Sequence, residues 1–264
     1  THMLSDAGPI AKALGDSYEA RPEQQRMASA VAEAMQSKAH LLVEAGTGVG
    51  KSFAYLVPAA LRSLEHGERV VIATNTISLQ EQLLEKDIPL LEQTLGPDRG
   101  AGGDAAGDEA AREAGVAMPR LKPVLVKGRG NYVSLRRLQL ASKRQETLLP
   151  DAAGRRSLHL IEDWAYETED GSLSTLPALE RPGVWDKVQS DSANCMGRKC
   201  PTYQQCFYQN ARREMEDANL LICNHALFFS DLALRARGVG FLPAYDHVVL
   251  DEAHAVEDVA AEHF

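Results

Sequence analysis

Residues 44–52 read "EAGTGVGKS": three glycines alternate with small residues and lead into Lys51 and Ser52. An apolar run, "HLLV" (40–43), stands before it, and a helical stretch, "FAYLVPAALRSL" (53–64), follows. That order of strand, glycine loop and helix is what a phosphate cradle requires. Glycines let backbone N–H groups turn toward an anion, and the helix start offers its positive end. Ala45, Gly46, Thr47, Gly48, Val49 and Gly50 would form the cradle, Lys51 would reach the β- and γ-phosphates, and Ser52 would hold Mg²⁺. The strict pattern has Gly where Ala45 stands. A glycine-rich turn that merely contains Lys-Ser is the bland alternative, and the flanking strand and helix patterns argue against it.

Working outward, four more apolar runs share this layout: "RVVIATNT" (69–76), "PVLVKGRG" (123–130), "NLLICNHA" (219–226) and "HVVLDEAH" (247–254). Their hydrophobicity is continuous rather than alternating, which suits strands buried on both faces of a parallel sheet. The expected class is α/β, a parallel sheet layered with helices. The last run ends on Asp251 and Glu252, where a carboxylate for the Mg²⁺ shell belongs, with Glu252 placed to orient or deprotonate an attacking water. An acidic helix start is the alternative for that pair, and the upstream phosphate loop weighs against it. His254 reads equally as a neutral coupling group or as a solvated turn residue.

Domain organisation follows from where these runs stop. Residues 97–119 are rich in Gly, Ala and acidic residues, with little to bury, and read as a mobile insertion. Residues 1–126 and 218–264 are expected to make the sheet domain, and 127–217 a mainly helical insertion holding three of the four cysteines. Net charge is −9 and the sequence pI about 5.4, so any nucleic-acid surface must be local. No apolar run reaches the roughly 18 residues of a membrane span. Four cysteines in 264 residues make no dense disulfide framework, so a reducing, cytoplasmic setting and a monomer are expected. The opening "THM" reads as a cloning remnant.

The phosphate loop in its Ala-x-x-Gly-x-Gly-Lys-Ser form, the Asp-Glu-Ala-His box, "KGRGNYVSLRRL" (127–138) and the C-x₄-C-x₅-C of Cys195, Cys200 and Cys206 together resemble the DinG/XPD group of iron–sulfur, superfamily 2 DNA helicases. The resemblance covers nearly the whole chain and implies a RecA-like sheet domain with an inserted iron–sulfur subdomain. It further implies ATP and Mg²⁺ as cofactors, single-stranded or forked DNA as partner, 5′ to 3′ movement and a second RecA-like domain that this chain lacks. Gln24 matches the family's adenine reader, with Gln25 as the alternative register. Thr74, Asn75, Thr76 and Gln80 match a segment that meets the DNA backbone.

The family's first [4Fe–4S] ligand is a cysteine where this chain has Ser134. Weak ligation by Ser134, a small thiol or water in its place, an engineered change, or loss of the cluster all remain open. Zinc suits the spacing poorly, and Cys223 reads as a core residue of a strand. Basic residues from Lys127 to Arg213, interleaved with Tyr132, Tyr203, Phe207 and Tyr208, would give phosphates charge and bases a stacking face. A redox-sensing nucleic-acid-binding module and an RNA motor of the same box type are the competing readings.

Overall fold

The computed structural model describes residues 2–46, 48–95 and 120–264. Thr47 and the expected insertion at 97–119 lie outside the described residues. The chain divides into two compact units: Thr1–Leu125 with Asp217–Phe264, and Val126–Glu216. The helices used below are α1 (Pro9–Leu14), α2 (Pro22–Ser37), α3 (Lys51–His66), α4 (Ile77–Gln82), α5 (Ile88–Leu95), α6 (Leu135–Lys143), α7 (Ala152–Glu167), α8 (Phe207–Asp217) and α9 (His225–Arg235).

The first unit is built on a four-stranded, wholly parallel sheet in the order β2-β3-β1-β4, with β1 Val70–Thr74, β2 Pro123–Leu125, β3 Leu220–Asn224 and β4 His247–Leu250. Every residue of central β1 is buried, and so are the first four of β3, which is why both runs are apolar without alternation. Edge strand β4 alternates half-buried and exposed residues. Edge strand β2 opens on Pro123, whose missing N–H is tolerated at a strand's first residue. The core gathers Ile10, Met35, Tyr55, Leu56, Ile72, Leu91 and Ile222 among others.

Helix boundaries follow local chemistry. Pro22 opens α2 at a position whose N–H is unpaired in any helix. Gly67 ends α3 in the left-handed conformation. The side chains of Thr76 and Asn224 cap α4 and α9 by accepting from Leu79 N and Leu227 N at 3.3 and 2.8 Å. Between α4 and α5 the chain widens into a π-helical turn, Leu83–Asp87, and Asp87 is buried there.

One expected strand is absent. The run ahead of the phosphate loop, 39–46, has no regular structure and pairs with no strand among the described residues, and Leu42 is 90% exposed. A strand exists only through a ladder partner, and the described sheet offers this run none. Among the described residues no helix is long and apolar enough to cross a membrane.

The second unit is mainly helical and has its own core of Val133, Leu138, Leu158, Ile161, Trp164, Trp185 and Val188, with Trp164 and Trp185 edge to face at 6.2 Å. Arginines tie residues 186–194 to α6: Arg137 donates to the carbonyls of Gln189 and Asp186 at 2.5 and 2.9 Å, and Arg136 to that of Asn194 at 2.5 Å.

Candidate nucleotide site and cysteine segment

The glycine loop delivers the chain into α3 through two positive-φ residues, Gly48 at +81° and Gly50 at +78°. Gly50 is required twice over. L-residues rarely adopt its φ, and a Cβ there would sit 2.1 Å from Gln24 Nε2. Gln24, buried on α2, donates Nε2–H to the Gly50 carbonyl at 2.9 Å, and Arg21 donates to the Gly48 carbonyl. Gln25 turns the other way and donates to Leu4 O at 2.7 Å. Of the two glutamines, Gln24 is thus the one that meets the phosphate loop.

The helix start then meets the end of β4. Lys51 Nζ lies 3.9 Å from Glu252 Oε1. Tyr55, one turn on, donates its hydroxyl to Asp251 Oδ2 at 2.9 Å across 196 sequence positions. Asp251 Oδ1 accepts the Glu252 N–H at 2.9 Å, and Asp251 N donates to Ala73 O on β1 at 2.9 Å. Glu252 occupies the left-handed region at φ +53°, uncommon for a residue with a Cβ. Its second carboxylate oxygen lies 3.5 Å from His254 Nδ1.

The surroundings raise both buried groups. Burial, then the neighbouring Asp251 carboxylate, raises the Tyr55 hydroxyl far above the ordinary tyrosine range, so it stays a proton donor. Burial also raises Asp87, against the opposing effect of hydrogen bonds from Gln82 and Ser52. Ser52 is a hydrogen-bond partner of both Tyr55 and Asp87.

The oxygen donors here suit Mg²⁺, which takes one or two carboxylates and keeps its remaining positions for water and phosphate. Ser52 and Asp251 would hold it. Sequence reading missed Arg21, Tyr55 and Asp87. Only Tyr55 left a signal, its helical spacing of three and four from Ser52 and Lys51.

The segment expected to meet DNA is folded tightly at its start. Thr74 is buried, Thr76 is spent as a cap and Asn75 is exposed. Gln80 is buried and its Nε2 has no hydrogen-bond partner.

The cysteine segment does not assemble as a cluster site. Among the described residues no three His, Cys, Asp or Glu side chains gather as metal ligands. Cys195 is exposed and takes a hydrogen bond from Gly197 N at 3.4 Å. The Arg129 guanidinium, as hydrogen-bond donor, followed by that N–H, lowers its thiol below the usual range. Cys200 lies 3.3 Å from the Thr202 hydroxyl. Ser134 caps α6, its hydroxyl accepting from Arg137 N at 3.4 Å. Thiols that do not gather and a serine used as a helix cap do not fit a four-ligand [4Fe–4S] group. Cys223 is buried in β3, and burial pushes its thiol up to about 12.

Two of the four expected stacking faces are covered. Tyr132 and Tyr208 are buried with ring centroids 5.9 Å apart, and Arg129 covers the Tyr208 ring at 4.1 Å. Arg129, Arg136 and Arg137 serve as internal straps, whereas Lys143, Arg144, Arg198, Lys199 and Arg213 are exposed.

Known proteins of one kind resemble this chain. A DEAD/DEAH box helicase family model matches residues 21–116. An ATP-dependent DNA helicase YoaA from Escherichia coli is 34% identical over 272 aligned positions, covering 100% of this chain and 37% of that protein. An ATP-dependent helicase DinG from Mycobacterium tuberculosis is 34% identical, over 90% of this chain and 34% of its own length. An ATP-dependent DNA helicase DinG from Salmonella choleraesuis is 29% identical, over 92% and 32%. The chain thus spans about a third of the length of the curated relatives it matches. A phosphate loop facing an Asp-Glu-Ala-His box across a parallel α/β sheet, with relatives of these kinds along nearly all its length, places the chain in the DinG-like group of superfamily 2 DEAD/DEAH box helicases.

Proposed function

We propose that this chain carries the nucleotide-binding module of an ATP-dependent DNA helicase, a cytoplasmic motor that spends ATP hydrolysis on moving 5′ to 3′ along single-stranded or forked DNA. The observation that carries the reading is the meeting of Lys51 with Glu252 and of Tyr55 with Asp251, which brings the phosphate loop onto the acidic box. The names of the relatives support DNA as the track.

The loop amides and the start of α3 would bind the β- and γ-phosphates, and Lys51 would place its charge there. Lys51 faces Glu252 at 3.9 Å. Phosphate binding would draw the lysine away and leave the glutamate free to orient water and accept its proton. Gln24, on the loop's flank, is the group we assign to the adenine edge. Bound Mg²⁺ supplies positive charge against the phosphate oxygens. Asp251, fixed by Glu252 N and Tyr55, is the carboxylate that would hold it, with Ser52.

Fluorescent ATP-analogue binding tests the site. Lys51→Ala should abolish binding, and Glu252→Gln should keep binding while cutting hydrolysis by about 100-fold or more. An unchanged Lys51→Ala variant would sink the reading.

A further inference from the structure

The hydrogen bond from Tyr55 to Asp251 has no counterpart in the phosphate-loop and acidic-box pattern, and it joins a buried group of α3 to the carboxylate that ends β4. Lys51, Ser52 and Tyr55 lie on one face of the first turn and a half of α3, at helical spacings of three and four. Two straps cross from that face in parallel: Lys51 to Glu252 at 3.9 Å and Tyr55 to Asp251 at 2.9 Å. The first is half-exposed and breakable. The second is enclosed, with Tyr55 only 2% exposed.

We infer that Tyr55 is a positioning residue which fixes the Asp251 carboxylate and thereby sets the affinity of the nucleotide site for Mg²⁺. This rests on the assignment of that site to ATP and Mg²⁺ given above. A carboxylate on a short side chain has two soft torsions, and one oxygen of Asp251 is already held by Glu252 N at 2.9 Å. The Tyr55 proton on the other oxygen removes the remaining freedom, so the lone pairs left over face a fixed direction. An aromatic ring buried in the core cannot swing to follow a moving acceptor, so the hydroxyl acts as a rigid stop. Ligands held by such outer partners typically lose about 10- to 100-fold in metal affinity when the partner is removed.

The variant that isolates the hydroxyl is Tyr55→Phe, which keeps the ring and its packing. The experiment titrates Mg²⁺ into the chain at fixed N-methylanthraniloyl-ATP, and separately measures binding of the same analogue in excess chelator. Tyr55→Phe should raise the Mg²⁺ concentration for half-saturation by about tenfold while leaving chelator-phase affinity at the wild-type value. Asp251→Asn should raise it as well, and the double variant should be no worse than Asp251→Asn alone. A Tyr55→Phe curve that overlays or lies tighter than wild type overturns the inference, and so do single effects that multiply in the double variant. A shift in chelator-phase affinity equal to the shift with Mg²⁺ overturns it too, since that is general damage. A wild type that binds no analogue overturns the ATP assignment and this inference together, whereas a wild type with clear Mg²⁺ dependence unaffected by Tyr55→Phe removes this inference alone.

Discussion

At the scale of single residues, the four cysteines differ by environment more than by sequence. Cys195 is exposed beside Arg129 and the Gly197 N–H, which favour its thiolate, while Cys223 is sealed in β3. The thiolate is the nucleophile. Iodoacetamide at neutral pH should therefore label Cys195 first and Cys223 last, read by peptide mass spectrometry. The sign with pH follows from the lowered value: Arg129→Met should slow Cys195 labelling near pH 7, where the wild type holds more thiolate, and the difference should vanish near pH 10, where both are ionised. An Arg129→Met rate equal to wild type at pH 7 would show that the arginine leaves the thiol alone. The sequence shows the three spaced cysteines plainly. It does not show that Arg129 is a thiol partner, because residues 129 and 195 meet only through the tertiary fold.

Elements were legible where burial is continuous and opaque where register shifts. The apolar runs of β1 and β3 announce strands covered on both faces, and β4 reads the same way although it lies at an edge. The run 40–43 carries the same pattern and forms no strand, since pattern records a need for cover and not the presence of a neighbour. "LLEKD" reads as ordinary helix, so nothing in it foretells the π-helical turn that buries Asp87 next to Ser52. Tyr55 hides in an apolar helix as one more core aromatic. Ser134 shows how one position carries two readings, a ligand by resemblance and a cap by structure. As a cap, Ser134→Ala should cost about 1 kcal/mol of stability, measured by urea unfolding of the chain. Ser134→Cys supplies the fourth thiol, and iron and sulfide assays after anaerobic reconstitution should register metal in that variant above the wild type. Equal iron in both would show that the fourth thiol is not what limits the site.

At the scale of the molecule, the described residues of the first unit leave apolar side chains exposed at several places, two of which concern pairing. Leu41, Leu42 and Val43 are exposed ahead of the phosphate loop, and edge strand β4 exposes Val248 and Leu250. An open strand edge is a template for pairing with another chain, and an exposed apolar run is a sticky surface. Light scattering should therefore show concentration-dependent association of this chain, and Leu42→Glu should reduce it without altering nucleotide-analogue affinity. Association unchanged by Leu42→Glu would place the sticky surface elsewhere.

The parallel sheet described above also sets a timetable for the chain as it leaves the ribosome. Arg69, at the head of β1, donates to the Ala218 carbonyl beside β3 at 2.7 Å, a contact 149 positions apart, and β4 follows β3 by a further stretch. At roughly 5–20 residues per second, Val70, Val71 and Ile72 emerge and then wait about 10–30 s before either flanking strand has been synthesised. During that interval the strand destined to be the most deeply buried in the unit is the most adhesive segment outside the exit tunnel. An apolar run left without partners for that long is open to aggregation until residues 220–250 appear.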